Sequence, residues 1–208
     1  MTQLVLLETA IDRFGRLGFD GASTRAIAAA AKTTMSSITY HFGGKEGLYL
    51  AAADHIGRSI GEKMQPHLDG IQADFPANRE AAVLAVQDLA VTLSRMMVDP
   101  ASEPWVRFML REQFDPSEAF DRIYEQSLGR ICGVLARLVA VARPDLDEAG
   151  CAATSIQILS QALILRAGRA TVCRVMGVAE LEGPAFDTLL VTLRANVRAI
   201  LLPDGVLR

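Results

Sequence analysis

Residues 33–42 read TTMSSITYHF, a hydroxyl-rich segment that lies between two stretches with helical periodicity. Thr34 is of a type that caps helix N-termini, and Ile38 and Phe42 follow at a four-residue step on one side of the helix it would begin. Two glycines and Lys45 come directly afterwards. The segment is therefore predicted to be a short helix with one apolar side and one polar, exposed side suited to recognition.

Two helices are predicted before it. The first covers residues 4–17 and ends at Gly18, which suits the left-handed turn at a helix C-terminus. Its apolar stripe contains Leu4, Leu7, Ile11 and Phe14. The second is Ala-rich and has Ser23 or Thr24 as its N-cap. Two short helices joined by a turn of about three to four residues form a helix-turn-helix, whose second helix enters the major groove of DNA.

The charge distribution allows DNA binding only through a local patch. The chain of 208 residues carries a formal charge of −3, which argues against attraction of the whole molecule to nucleic acid. From Gly21 to Lys45, however, the sequence has cations at Arg25, Lys32 and Lys45 and no acidic residue. The helix-turn-helix segment therefore contains the patch that a DNA complex requires.

The predicted recognition helix contains two kinds of candidate contact. Short side chains at Thr34, Ser36 and Ser37 allow the backbone to approach base edges. Contacts to phosphate oxygens would then fix the register on the duplex. The phosphate-contacting candidates are Arg25, Tyr40, His41 and Lys45. The alternative for Tyr40 and His41 is that they only close the small helical head.

Beyond the head, apolar stripes separated by prolines predict an all-α chain of about nine helices. The head is assigned to residues 1–48 and a helical body to residues 49–208. A fourth helix is predicted to end at Pro66, and a seventh to begin with Asp115 as its N-cap. The fifth, eighth and ninth helices are predicted over residues 81–98, 147–176 and 184–202.

The last two predicted helices are long and strongly apolar. Their apolar stripes exceed what the outer layer of a monomer would expose, so we infer a four-helix dimer interface to which two chains contribute. The interface candidates are Ile156, Leu159, Leu163, Leu189, Leu193 and Val197. The alternative is that both are core helices of a single subunit.

An effector pocket is suggested by polar residues in otherwise apolar helices. Its candidate lining residues are Trp105, Phe108, Met109, Arg111 and Gln161. Glu103, Arg107 and Arg111 also stand at successive four-residue steps, so they are equally consistent with a solvated ladder of ion pairs.

Other functions find little support in the sequence. It contains no GxSxG, HExxH or GxGxxG motif, and the three histidines show no ligand spacing, so we expect no catalytic residue, metal or cofactor. Three widely separated cysteines in apolar segments are predicted to be buried, reduced thiols. No signal core or span of about 20 apolar residues is apparent, which favours a cytoplasmic protein without a membrane partner.

The first 50 or so residues resemble the DNA-binding domain of the TetR family of transcriptional regulators. The resemblance is carried by Ile27-Ala28, Ala31-Lys32-Thr33-Thr34, Tyr40-His41-Phe42 and Lys45-Glu46. It implies base reading by Met35, Ser36, Ser37 and Thr39, and phosphate contacts from Thr24, Arg25, Tyr40, His41 and Lys45. Lys32 replaces the usual turn glycine, so a left-handed conformation there would cost on the order of 1 kcal/mol, although its charge adds a candidate phosphate contact.

Two further departures bear on base reading. Thr39 stands where an aromatic residue is common, and Met35 where polar or basic residues are frequent, so Met35 is better suited to a thymine methyl than to a guanine edge. The remainder of the chain resembles the regulatory domain of the CecR-like branch, through Arg111-Glu112-Gln113 and later Gln161 with Leu165-Arg166. This resemblance implies a ligand-binding body that dimerises through its last two helices.

Together these features predict a TetR-like repressor. We expect a homodimer that binds a palindromic double-stranded operator and is released by a small, largely apolar effector. The alternative is a helical small-ligand-binding protein that has lost operator binding, and a third possibility, an all-helical enzyme, has no candidate residues.

Overall fold

The computed structural model describes residues 3–203, and its contacts divide the chain into two compact units. The head unit joins the residues up to Lys63 with Ala101–Arg130, and the body unit joins Met64–Pro100 with the residues from Ile131 onward. The segment 101–130, which the sequence assigned to the body, therefore packs with the N-terminal helices. The all-α prediction is confirmed, since residues 3–203 contain helices and connections but no strand.

Helices and their connections alternate along residues 3–203. In chain order, the helices are α1 (Gln3–Gly21), α2 (Thr24–Ala30), α3 (Met35–Phe42), α4 (Lys45–Ala73), α5 (Arg79–Val98), a 3₁₀ turn (Pro100–Ser102), α6 (Glu103–Phe114), α7 (Glu118–Ile123), a π-helical segment (Tyr124–Leu128), α8 (Gly129–Ala142), α9 (Glu148–Ala167), α10 (Arg169–Met176) and α11 (Gly183–Leu201).

Three predicted boundaries differ from the structure. α4 continues through Pro66 to Ala73, because one proline removes a single backbone donor and does not by itself end a long helix. The predicted eighth helix is divided into α9 and α10 at Gly168, whose backbone (φ −106°, ψ 19°) is not helical. α7 is capped by Ser117 rather than Asp115, since the Ser117 hydroxyl accepts the N–H of Ala119 at 3.2 Å.

Aromatic rings from three helices form the centre of the head unit. Tyr49 of α4 packs edge-on against Phe14 of α1, with ring centroids 4.8 Å apart, and lies 4.6 Å from the ring of Phe108 in α6. Phe14 and Phe108 are almost fully buried. The surrounding aliphatic core contains Ile11, Ile27, Ile38 and Leu48. α6 is thus part of the scaffold on which the helix-turn-helix is built.

The body unit is organised around α5, which packs against α9 and α11. The side-chain amide of Gln87 donates to the backbone carbonyl of Arg194 at 2.7 Å, and Arg166 donates to the carbonyls of Met97 and Asp99. Contrary to the sequence expectation, α5 is long and apolar enough to cross a membrane. Since 56% of its most apolar window is buried in the folded chain, it has the character of a core helix.

Candidate DNA-binding surface

The N-terminus of α3 is capped as the sequence predicts. Thr34 has an extended backbone, and its Oγ1 accepts the N–H of Ser37 at 3.3 Å. The same oxygen lies 2.8 Å from the hydroxyl of Ser36 and 3.3 Å from that of Ser37. The three hydroxyls therefore form one cluster on the first turn of α3, next to its free backbone N–H groups.

The two sides of α3 have opposite character. Ile38 is 1% exposed and anchors the helix to the head core, while Phe42 is half-buried beside it. Met35 is 50% exposed and Tyr40 is 85% exposed. The other residues on the open side are Ser36, Thr39 and His41, with Ser37 half-buried. α3 thus presents a continuous polar surface with one methionine at its N-terminal end.

The side chains of Tyr40 and His41 lie at the C-terminal end of this surface. Their rings meet edge-on with centroids 5.0 Å apart. The side-chain amide of Gln3 lies 3.2 Å from Nδ1 of His41, so α1 helps to orient the imidazole. Among the α2 candidates, Arg25 is exposed and Thr24 is half-buried, both in the first turn of that helix.

Lys45, at the first position of α4, is positioned by the end of α1. Its ammonium group donates to the carbonyl of Asp20 at 3.3 Å and lies 4.6 Å from the ring centroid of Phe19. Lys45 is half-buried, and these two contacts hold its ammonium group against the end of α1.

The turn between α2 and α3 depends on a lysine in a glycine-like conformation. Lys32 has φ 54° and is the only non-glycine residue among residues 3–203 with positive φ. The N–H of Thr33 donates to the carbonyl of Ala28 at 2.8 Å, and that of Lys32 to the carbonyl of Ala29 at 3.1 Å. This paired arrangement is a Schellman motif, which explains why a left-handed residue is required there. The exposed Lys32 side chain remains free to contact a phosphate.

Sequence reasoning missed a close approach between α3 and α4. Gly43 ends α3 with φ 74°, and its N–H donates to the carbonyl of Thr39 at 2.9 Å. At Gly47, an added Cβ would lie 1.7 Å from the carbonyl oxygen of Phe42. The path of the chain from α3 into α4 therefore requires glycine at position 47.

The candidate effector residues divide between the two units, with Gln161 in the body unit and the others on α6 of the head unit. Phe108 is 1% exposed and packs on Tyr49 in the core of the head unit, so its place in an effector pocket stays a prediction. Trp105 and Met109 are half-buried on the same helix, and the ammonium of Lys63 lies 4.8 Å from the ring centroid of Trp105. Gln161 belongs to the body unit, where it accepts a hydrogen bond from the side-chain amide of Asn196 at 3.1 Å.

Arg111 has a structural role in the head unit. Its guanidinium donates from Nε to the carbonyl of Gly15 and from Nη2 to that of Arg16, both at 2.7 Å. Arg107 pairs with Glu103, so the predicted ion-pair ladder stops after its first rung. Arg111 instead provides hydrogen bonds to the last carbonyls of α1 before the break at Gly18.

The neighbouring residue, Glu112, entered the sequence analysis only as part of the family resemblance and was given no role there. Its carboxylate is 3% exposed and accepts the Tyr49 hydroxyl at 2.5 Å on Oε1. Its Oε2 accepts the N–H and hydroxyl of Ser117 and the N–H of Phe120. Burial and the bond to Glu112 raise the pKa of Tyr49. Glu112 therefore joins α4 to the N-terminus of α7.

The dimer candidates in the body unit fall into three pairs, which are exposed, half-buried and buried. Ile156 is 65% exposed and Leu163 39%, whereas Leu159 and Leu189 are half-buried. Leu193 and Val197 are 5% and 0% exposed. The prediction that Leu193 and Val197 lie at a dimer interface is therefore corrected. Both are core residues, because they pack inside the chain's own body unit. Ile164 and Val191, which the sequence did not select, are exposed instead.

Comparisons with known proteins agree with this geometry. Residues 6–52 match a family described as bacterial regulatory proteins, tetR family. Residues 87–202, more than half of the chain, match the C-terminal domain of the HTH-type transcriptional dual regulator CecR. The chain is 28% identical to the HTH-type transcriptional dual regulator CecR of Shigella flexneri over 94% of its own length and 89% of that protein's.

Solved structures share the fold at low sequence identity. A transcriptional regulator from Pseudomonas aeruginosa PAO1 aligns with a TM-score of 0.67 at 16% identity, over 96% of this chain and 89% of the other. The regulator FadR from Bacillus subtilis, solved in complex with stearoyl-CoA, aligns with a TM-score of 0.63 at 13% identity, over 97% and 98%. The resemblance in the sequence is thereby confirmed at the level of family and fold.

Proposed function

Because this chain belongs to the TetR family of DNA-binding transcriptional regulators, with a C-terminal domain of the CecR type, we propose that it is a homodimeric repressor of a palindromic operator. The observation that carries the proposal is the division of α3 into a buried side at Ile38 and an open polar side. A recognition helix needs this division, since its buried side fixes the helix while its open side reads base edges.

Base reading is assigned to the N-terminal half of α3, at Met35, Ser36, Ser37 and Thr39. The hydroxyl cluster of Thr34, Ser36 and Ser37 provides donors and acceptors without bulk, so the backbone can approach the groove. The half-exposed Met35 thioether is suited to the methyl group of thymine. Thr39 already donates to the carbonyl of Met35 at 3.3 Å, which leaves its hydroxyl oxygen as an acceptor.

Phosphate contacts are assigned to residues around this half-helix. Their common feature is a donor near the edge of the α3 surface, and the set is Thr24, Arg25, Lys32, Tyr40, His41 and Lys45. The segment from Gly21 to Lys45 contains no carboxylate, so the local potential favours a polyanion although the whole chain is acidic.

Dimerisation is assigned to the exposed apolar residues of α9 and α11. Ile156, Leu163, Ile164 and Val191 are each between 39% and 69% exposed in the single chain. Burial of these side chains against a second copy would remove apolar surface from water, which favours association. A two-fold dimer would place its recognition helices in successive major grooves, about 34 to 36 Å apart.

Release is assigned to a small, largely apolar effector. The B. subtilis FadR structure contains stearoyl-CoA, which shows that a regulator with this fold holds an apolar chain. To weaken DNA binding, an effector must bind more tightly to the state that does not fit the operator. The proposal places this regulation in the cytoplasm, where operator DNA is found.

Fluorescence anisotropy with labelled duplexes tests the proposal. The protein, at up to micromolar dimer, is titrated into DNA that flanks its own gene and into a scrambled duplex of the same composition. We expect binding to the flanking DNA to be about 10³-fold tighter or more and to weaken with added salt. Equal affinity for both duplexes would refute operator recognition. No salt-dependent binding to either would favour the alternative, a ligand-binding protein that has lost its operator.

A further inference from the structure

An open cleft of about 620 Å³ lies on the head unit. It is bordered by the end of α1, the first turns of α4, and the connection from α6 to α7. Its volume falls in the range of small-molecule sites, which is roughly 300–1,000 Å³. Neither Trp105 nor Met109, the half-buried effector candidates of α6, lines it.

The cleft has apolar walls that the chain leaves uncovered. Phe114, the last residue of α6, is 89% exposed, and Leu17 of α1 is 49% exposed. Phe19 is 37% exposed and lies beside the buried Tyr49, with ring centroids 5.1 Å apart. Aromatic faces of this kind bind both apolar bodies and cations.

The charges that line the cleft are predominantly negative. Asp20, Glu46 and Asp115 line it and form no side-chain hydrogen bond or ion pair among the described residues. Glu118 also lines it and is paired with Arg122. Arg111 is the single cation among the lining residues, and its Nε and Nη2 are already used by carbonyls of α1.

We propose that this cleft binds an organic cation with an aromatic or similarly bulky apolar body. The exposed rings of Phe114 and Phe19 would cover the apolar part, and the unpaired carboxylates would favour its positive charge over a neutral or anionic ligand of the same shape. The proposal rests on the function proposed above, because it assigns the effector of that regulator to a place and a chemical class.

Occupancy of the cleft would act on the DNA-binding surface through Lys45. The Lys45 ammonium lies on the ring of Phe19 and donates to the carbonyl of Asp20, and both of these residues line the cleft. A cation bound there competes with Lys45 for the Phe19 ring and the negative charge. Displacement of Lys45 would change the position of an assigned phosphate contact at the start of α4.

Isothermal titration calorimetry with tetraphenylphosphonium tests the site, with tetraphenylborate as an anion of the same shape. We expect the cation to bind about tenfold or more tightly than the anion. Phe114→Ala should weaken cation binding about tenfold, and Glu46→Gln/Asp115→Asn about fivefold. Glu62→Gln/Glu125→Gln, which removes two exposed carboxylates outside the cleft, is the matched control and should change nothing.

These variants alter exposed side chains, so we expect all of them to fold. Thermal unfolding checks this. The proposal that the cleft binds an organic cation would be overturned by any of three results. These are no binding of the cation, equal binding of the anion, and unchanged cation binding by Phe114→Ala. In the anisotropy assay, tetraphenylphosphonium should release the wild type from DNA, and Phe114→Ala only at about tenfold higher concentration. Binding without release would overturn the effector role. If the protein binds no operator even without the cation, only the proposed function is refuted. Calorimetry still tests cation binding by the cleft, because it does not depend on DNA.

Discussion

α3 and α6 both carry polar residues in short amphipathic helices, but the two helices use them differently. In α3, hydrogen bonds of Thr34, Ser36 and Thr39 stay within the helix and its cap, so the polar side remains open. In α6, Arg111 and Glu112 direct their bonds to α1, α4 and α7. The local bonds of these α3 hydroxyls leave them on an open surface, whereas the long-range bonds of Arg111 and Glu112 connect α6 to other helices.

This difference predicts opposite responses to substitution. Changes in α6 should lower the free energy of unfolding, because they leave buried groups without partners. Changes on the open side of α3 should alter DNA binding and leave stability almost unchanged, since surface substitutions away from caps are usually within about 0.5 kcal/mol.

The largest effect is expected at Glu112. Glu112→Ala removes the acceptor of four hydrogen bonds and leaves the buried Tyr49 hydroxyl without its partner, so we expect a loss of about 3 kcal/mol in the free energy of unfolding. Urea unfolding at pH 7 measures it. Glu62→Ala, an exposed carboxylate on α4, is the control and should cost less than about 0.5 kcal/mol. Similar losses of unfolding free energy for Glu112→Ala and Glu62→Ala would contradict the structural role of Glu112.

Arg111 should rank second. Arg111→Ala loses two hydrogen bonds to the carbonyls of Gly15 and Arg16, with an expected cost of about 1–2 kcal/mol. Arg107→Ala, four residues earlier, loses mainly a partly exposed ion pair with Glu103 and should cost about 0.5 kcal/mol. If Arg107→Ala lowered the free energy of unfolding more than Arg111→Ala, the hydrogen bonds from α6 to α1 would not have the assigned stabilising role.

Tyr49 adds a pH dependence of smaller size. Its pKa is raised in the folded state by burial and by Glu112, so folding favours the protonated phenol. The stabilisation is complete below the unfolded pKa of about 10 and is lost as pH rises through that value toward the folded pKa. Wild type should therefore lose stability more steeply above about pH 10 than Tyr49→Phe, which lacks the titrating group. Parallel unfolding curves from pH 9 to 11 would contradict this assignment.

The smallest effect is expected at the turn before α3. Lys32→Gly relieves a left-handed conformation at the cost of greater freedom in the unfolded chain, with an expected net gain of about 0.5 kcal/mol. Ala31→Gly, at an adjacent residue with negative φ, should instead destabilise. Thermal unfolding of the two variants measures both effects. Destabilisation by Lys32→Gly would contradict the inference that the backbone of Lys32 is strained.

The position and capping of α3 were predictable because their sequence signals are local. Thr34, the apolar Ile38 and the glycines after Phe42 lie within about three helical turns, and each has one dominant structural use. The functions of Arg111 and Glu112 were not predictable, since their partners Gly15 and Tyr49 lie 96 and 63 positions away in the sequence. The same holds in α11, where periodicity identifies an apolar helix but does not decide that Leu193 faces the core and Val191 solvent.

The central claim is that the open side of α3 reads DNA. Operator discrimination by Ser36→Ala and Lys45→Ala tests it most directly. The measurement is the ratio of affinities for flanking and scrambled duplexes across a salt series. Ser36→Ala should lower this ratio, whereas Lys45→Ala should weaken both complexes about equally and reduce the salt slope by about 1. An unchanged ratio for Ser36→Ala, together with an unchanged salt slope for Lys45→Ala, would contradict the assignment of this surface to DNA.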